Sequence, residues 1–174
     1  MSSVELYQNR IAGGSGGRRF DDLVCAEGRI SRIRWRSGDW VDAFGFEELI
    51  RVGTGTPPPH NMWGGDGGRE GSSPGPPDVI NDWNYINGFK VRYRGFIEYV
   101  ELYVWNAARK EQDYTIFFGK DKTGLQEFTH TFPEEGTGTS YKPPKEICGF
   151  AGRSATYLDA IGFYIRDHPF GPPR

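Results

Sequence analysis

Cysteine, histidine and methionine are scarce in this 174-residue chain, and neither sign of charge is in excess. The two cysteines, Cys25 and Cys148, are far apart and neither belongs to a C-x-x-C pair, which removes the usual zinc and dithiol spacings. In a chain without a visible secretion signal they are expected to be buried thiols rather than a bridge. His60, His130 and His168 are scattered without ligand spacing and are expected to be ordinary packed or surface side chains. No metal or other cofactor is therefore expected. Lys and Arg total 21 against 23 Asp and Glu, a net charge of −2, which leaves no electrostatic footprint for nucleic acid or an anionic membrane. No apolar run approaches the roughly 20 residues needed to cross a bilayer. The start, Met1-Ser2-Ser3-Val4-Glu5, has neither the basic nor the apolar part of a signal peptide. The expected location is the cytoplasm, or secretion without a visible signal. The phosphate-binding pattern G-x-x-x-x-G-K-[ST] is absent, and no nucleophile, base and orienting group can be assembled from proximity. A binding protein, not an enzyme, is expected.

What is present is aromatic, glycine-rich and proline-rich. Aromatics make up 15% of the chain, with 25 Gly and 12 Pro, a profile that fits an all-β domain with many turns. Phe89, Val91 and Tyr93 alternate with Lys90, Arg92 and Arg94, Val100, Leu102 and Val104 with Glu101 and Tyr103, and Ile33 and Trp35 with Arg32, Arg34 and Arg36. Alternation of period two marks strands with one buried face. Segments 114–118, 128–132 and 158–165 read as further strands, and no stretch has helical period. The length suits one domain, expected over residues 13–166. Residues 1–12 and 167–174 are expected to be peripheral tails. Residues 53–78, with Pro57-Pro58-Pro59 and Pro74-Gly75-Pro76-Pro77, are expected to be a long connection.

The chain also repeats itself. Arg36-Ser37 precedes Val41-Asp42-Ala43-Phe44-Gly45-Phe46 by three residues, and Arg153-Ser154 precedes Leu158-Asp159-Ala160-Ile161-Gly162-Phe163 in the same way. A weaker copy runs from Arg92 to Ile97-Glu98-Tyr99-Val100-Glu101-Leu102. The acids at 42, 98 and 159 are nearly evenly spaced, which argues for three similar units. Glycine repeats in parallel: Gly13-Gly14-Ser15-Gly16-Gly17 is followed by Arg18, and Gly64-Gly65-Asp66-Gly67-Gly68 by Arg69. Gly119 to Gly124 is a degenerate version. Glycine admits positive φ and close approach to the main chain, so each loop is a candidate ligand contact.

The order GGSGGRRFDD, IRWRSGDWVDAFGF, WGGDGG and ICGFAGRSATYLDAIGFYI, from Gly13 to Ile165, resembles the jacalin-related lectins. The resemblance implies a β-prism I fold, three four-stranded Greek-key sheets about a pseudo-threefold axis. It implies metal-independent sugar binding, in which a glycine loop and a G-x-x-x-D turn together hold a hexose. It pairs Gly17 with Ala155, Thr156, Tyr157 and Asp159 as a first site, and Gly68 with Gly38, Asp39, Trp40 and Asp42 as a second. Gly124 with Glu98 would be a degenerate third. At the first site Ala155 replaces the family glycine, a departure expected to shift that turn if glycine's freedom is needed there. Within the family, galactose preference goes with a chain cleaved at the glycine loop. This chain continues through Gly17 and so resembles the mannose/glucose type. The implied partners are mannose- or glucose-containing glycans and glycoproteins, with a homo-oligomer as a further possibility.

The residues suit the task. An ionised Asp accepts two hydroxyl hydrogen bonds, the charge-assisted and stronger kind, and backbone N–H groups donate to sugar oxygens. Trp40 and Tyr157 are placed to cover an apolar sugar face. Two other readings stand beside this one. A prism that binds a protein and has lost its sugar sites would use the acids only to cap turns. A glycoside hydrolase would need two acids flanking one bond, whereas Asp42 and Asp159 occupy equivalent, separate positions. Asp21-Asp22 is expected to be a structural turn, and Arg18 and Arg69 are weak candidates for an anion-binding nest.

Overall fold

The computed structural model describes residues 3–50, 55–75, 78–81 and 83–168. Their regular structure is thirteen strands and two short 3-10 turns, at Tyr7–Asn9 and Gly138–Ser140.

Three hairpins, each of two ten-residue strands, form the body. They are β4 (Gly28–Ser37) with β5 (Val41–Ile50), β8 (Asn84–Tyr93) with β9 (Ile97–Asn106), and β12 (Lys145–Ser154) with β13 (Leu158–Asp167). Each has a three-residue connection closed by one backbone bond: Gly38 N–H to Trp40 O (3.0 Å), Arg94 N–H to Phe96 O (3.1 Å) and Ala155 N–H to Tyr157 O (3.0 Å). Each ladder also shifts register at two matching places, next to Ser37, Tyr93 and Ser154 and near Ser31, Asn87 and Cys148. Bulges of this kind bend a strand and increase its twist, and their threefold recurrence gives the three sheets one curvature.

Each hairpin gains a flanking strand on both sides. β6 (Trp63–Gly64) and β7 (Arg69–Ser73) give the order β6-β5-β4-β7. β10 (Glu111–Gly119) and β11 (Gln126–Thr131) give β10-β9-β8-β11. In both, two strands pair as a hairpin and the fourth returns to the far side, the Greek-key path. The last sheet is assembled from the two ends of the chain. β3 (Arg18–Leu23) lies beside β12, while β1 (Glu5–Leu6) and β2 (Ala12–Gly13) share the free edge of β13. This is the three-sheet β-prism.

Alternation delivers the core. The sixth residue of each hairpin strand (Ile33, Phe46, Phe89, Leu102, Phe150 and Phe163) is buried. Rings from different sheets meet there, with Phe89 stacked on Phe163 at 3.8 Å and Phe44 edge-on to Phe150 at 4.5 Å.

Several expectations change. Residues 3–12 are not a peripheral tail: two short segments complete an edge of β13, Ala12 is buried, and Tyr7 packs against Phe89, Phe128 and Phe132. At the other end β13 runs through Asp167, and His168 is buried with its N–H bonded to Pro144 O (2.9 Å); residues 169–174 lie outside the described residues. The 53–78 segment contains β6 and β7 as well as connection. Asp21 and Asp22 lie inside β3 rather than in a turn; Asp22 accepts from His60 and from the Trp63 indole. Charged outer faces and internal glycines hide β3, β6 and β7 from a reading based on alternation. Cys25 and Cys148 are free thiols, but only Cys148 is buried, and that burial pushes it up to about 12; Cys25 is exposed rather than buried as expected.

Candidate functional site

The three repeated acids occupy one position three times: Asp42, Glu98 and Asp159 are the second residues of β5, β9 and β13. Each lies just beyond its hairpin turn, and the backbone beside each is held alike. Gly65 N–H donates to Asp42 O (2.9 Å), Lys120 N–H to Glu98 O (2.9 Å), and Gly14 N–H to Asp159 O (2.8 Å). The glycine loops are thereby tied to the acids, although up to 146 residues of chain separate Gly13 from Asp159.

The first two loops close over their acids. Gly17 (φ 71°) and Gly68 (φ 66°) are left-handed. A Cβ on Gly17 would stand 2.7 Å from Asp159 Oδ2, and one on Gly68 would stand 2.5 Å from Asp42 Oδ2. Positive φ and the absent side chain are both required. An arginine from the repeat clamps each loop. Arg153 Nε donates to Ser15 O (3.1 Å) and Gly16 O (3.0 Å), and its Nη2 to Gly17 O (2.8 Å). Arg36 Nε donates to Gly67 O (2.8 Å), and its Nη2 to Gly68 O (3.1 Å). With those carbonyls engaged by arginine, the loop's N–H groups are what remains to meet a ligand. The Arg-Ser repeat was visible in the sequence; its clamping role was not.

The electrostatics separate the copies. Burial raises the Asp159 carboxyl above its ordinary value, with only the Arg153 charge opposing. Its Oδ2 is buried without a hydrogen-bond partner among the described residues. Burial likewise raises Asp42, against a hydrogen bond from Trp40 and the charge of Arg36. Glu98 moves the other way. Arg94 donates to it at 2.9 Å and Lys122 at 2.6 Å, and these bonds lower it despite its burial. The third loop, Gly119 to Gly124, is one residue longer than the others, and a Cβ on Gly124 (φ 78°) would meet nothing within 4 Å. The degenerate copy thus has a neutralised acid and a closing glycine, Gly124, that does not reach it.

The turns differ less than their sequences. Gly38 has no positive φ, and a Cβ there would meet nothing within 4 Å. Glycine's freedom is unused at that position, so Ala155 does not shift its turn; both make the same closing bond. Asp39 and Thr156 are exposed at the tips. Trp40 and Tyr157 are half-buried against each other (5.4 Å, edge-on) and against Phe96 (5.6 and 5.5 Å). The last residues of the three turns thus form one aromatic cluster. The sequence does not mark Phe96, because its turn lacks the rest of the repeated pattern.

Among the described residues no group of three or more His, Cys, Asp or Glu could hold a metal ion. Among the same residues no helix is long and apolar enough to cross a membrane.

The sequence model of the jacalin-like lectin domain matches residues 10–164. The chain belongs to the jacalin-like lectin family. Solved jacalin-like lectins share its architecture. The wild-type Malaysian banana lectin is 20% identical, with a TM-score of 0.67 over 96% of this chain and 99% of that one. A mannose-binding jacalin-related lectin from Ananas comosus is 18% identical, with a TM-score of 0.63 over 95% and 98%. A mannose-specific jacalin-related lectin from Morus nigra, solved with mannose, is 19% identical, with a TM-score of 0.62 over 95% and 94%. At such identities the likeness is one of fold. Among curated proteins none matches in sequence. Membership in the jacalin-like lectins supports carbohydrate binding.

Proposed function

We propose that this protein is a non-enzymatic lectin that takes a mannose- or glucose-type hexose at two metal-independent sites. The first comprises Gly17, Ala155, Thr156, Tyr157 and Asp159; the second comprises Gly68, Gly38, Asp39, Trp40 and Asp42. One observation carries the reading. Of three equivalent acids, the two beside closed glycine loops keep carboxylates raised by burial, and the third is neutralised by Arg94 and Lys122. A buried, under-bonded carboxylate is costly unless a ligand satisfies it, and vicinal sugar hydroxyls supply two donors in the right reach. Trp40 and Tyr157 stand half-buried in the shared cluster at the two sites. The mannose-type preference is supported by the sequence continuing through Gly17 into Arg18, and by neighbours described as mannose-binding.

A shallow single-hexose site should bind at about 0.1–1 mM, about −4 to −5.5 kcal/mol. Two sites on one chain would raise avidity for clustered glycans without new contacts. Calorimetric titration with methyl α-mannoside, with the galactoside as control, tests this on wild type, Asp42→Asn and Asp159→Asn. Halved stoichiometry in each variant is the expected result. Absence of binding by wild type would transfer the function to a longer glycan or to a protein partner.

A further inference from the structure

We propose that Lys122 plugs the third acid pocket and, with the same ammonium group, braces the turn of the second site, so that the vestigial copy positions a working one. The inference rests on the reading of Asp42 as a sugar-binding acid.

The cyclic contact between sheets makes this reach possible. Each glycine loop abuts the turn of the next sheet. A Cβ on Gly14 would fall on Gly95 O, and one on Gly65 would lie 2.2 Å from Thr156 O. The third loop meets the Asp39-Trp40 turn in the same way, but it does so with lysines. Lys122 Nζ donates to Glu98 Oε1 (2.6 Å) and to Asp39 O (2.7 Å), and lies 5.8 Å from the centre of the Trp40 ring. Lys120 Nζ adds a contact to Asp39 Oδ1 at 3.2 Å. That second pair is exposed on both sides and contributes little. The Lys122 side chain is three-quarters covered, and its partner Glu98 is 2% exposed.

One ammonium therefore joins the acid of one sheet to the turn of another. It satisfies Glu98, so that pocket offers a hydroxyl ligand no free carboxylate. It also holds the carbonyl of Asp39, one of the two residues whose N–H groups would face a hexose at the second site. A turn already held in place has less freedom to lose on binding. The turn at Ala155–Tyr157 lies instead against the Gly65 main chain, with Tyr157 packed on Trp40 and Phe96, so the two turns are held by different means.

Lys122→Met keeps the apolar stem and removes the charge, while Arg94 remains on Glu98 and preserves the fold. In an Asp159→Asn background, where only the second site binds, methyl α-mannoside affinity should fall about fivefold, a fraction of the worth of one charge-assisted hydrogen bond, because that bond holds the turn in the free protein as well as the bound one. In an Asp42→Asn background, which reports the first site, affinity should stay within about twofold. Equal losses at both sites, or none at either, would overturn the brace. A sugar-free measurement separates this from the lectin reading. Hydrogen exchange at the Asp39 and Trp40 amides should quicken in Lys122→Met, with Thr156 and Tyr157 unchanged. Unchanged exchange at Asp39 and Trp40 overturns the proposal. Faster exchange there, with no mannoside binding in any background, supports the brace and overturns the sugar reading instead.

Discussion

Asp42, Asp159 and Glu98 share a backbone position yet have opposite charge environments, and stability measurements should separate them. Burial raises Asp159, so its ionised form is less favoured in the folded chain than in the unfolded one. A raised folded value means the native state binds more protons, so this group's contribution to stability falls as pH rises through that window. Asp159→Asn should therefore leave stability within about 0.5 kcal/mol or slightly raise it at pH 7, while abolishing hexose binding at its site. Thermal unfolding and calorimetry on one preparation would check both. Glu98 is lowered by Arg94 and Lys122; its stabilisation is present above the unfolded value and lost as pH falls through the folded one. Glu98→Gln should cost about 1.5–3 kcal/mol at pH 7, from charge-assisted bonds weakened inside the protein. Sugar binding should also weaken on acidification, with a midpoint above the ordinary Asp value of about 3.9, because a protonated carboxyl no longer accepts from two hydroxyls. Titrations at a series of pH values would show it.

The glycine loops and the hairpin turns are the elements of the proposed sites, and they should tolerate change very differently. Gly17→Ala meets both a left-handed backbone and Asp159 Oδ2 at 2.7 Å. It should weaken the first site by about tenfold or more, corresponding to the 1–2 kcal/mol penalty of that conformation. Ala155→Gly should change affinity by less than about twofold, because the equivalent Gly38 uses neither positive φ nor the empty space. A titration of both variants against wild type decides between loop and turn as the sensitive element. The paired glycine motifs and the repeated acids were legible in the sequence because glycine and an acid in a turn carry strong local signals. The arginine clamps were not, since nothing local says which carbonyls Arg36 and Arg153 will reach.

Over the whole molecule, His60 ties the sheets together. Its ring nitrogens lie 2.6 Å from Asp22 on β3 and 2.5 Å from Glu48 on β5, with the ring nearly buried. Two carboxylates can only accept, so the ring donates from both nitrogens as an imidazolium. Burial opposes that charge, but bonds to Glu48 and Asp22 outweigh it and raise the folded value. The stabilisation is fully present below the unfolded value of about 6.5 and is lost as pH rises through the folded one. Denaturant unfolding should show stability declining across that window in wild type, and a flatter profile in His60→Gln. Phe89 stacks on Phe163 across sheets and is fully buried; Phe89→Ala should cost about 3–5 kcal/mol.

Strand character, hairpin periodicity, three equivalent acids and two glycine loops followed from the sequence alone, because alternation and turn chemistry are properties of a few neighbouring residues. The resemblance, rather than any spacing, supplied the pairing of loop with turn. Only the tertiary structure decided that residues 5–6 and 12–13 complete a sheet, that His60 bridges two carboxylates, that Trp40, Phe96 and Tyr157 share one cluster, and that Lys122 fills the third pocket. The physical reason is common to all four. Which edge a short strand finds, and which cation neutralises a buried acid, depend on groups far away in the chain. Closing the prism about its threefold axis brings those groups together.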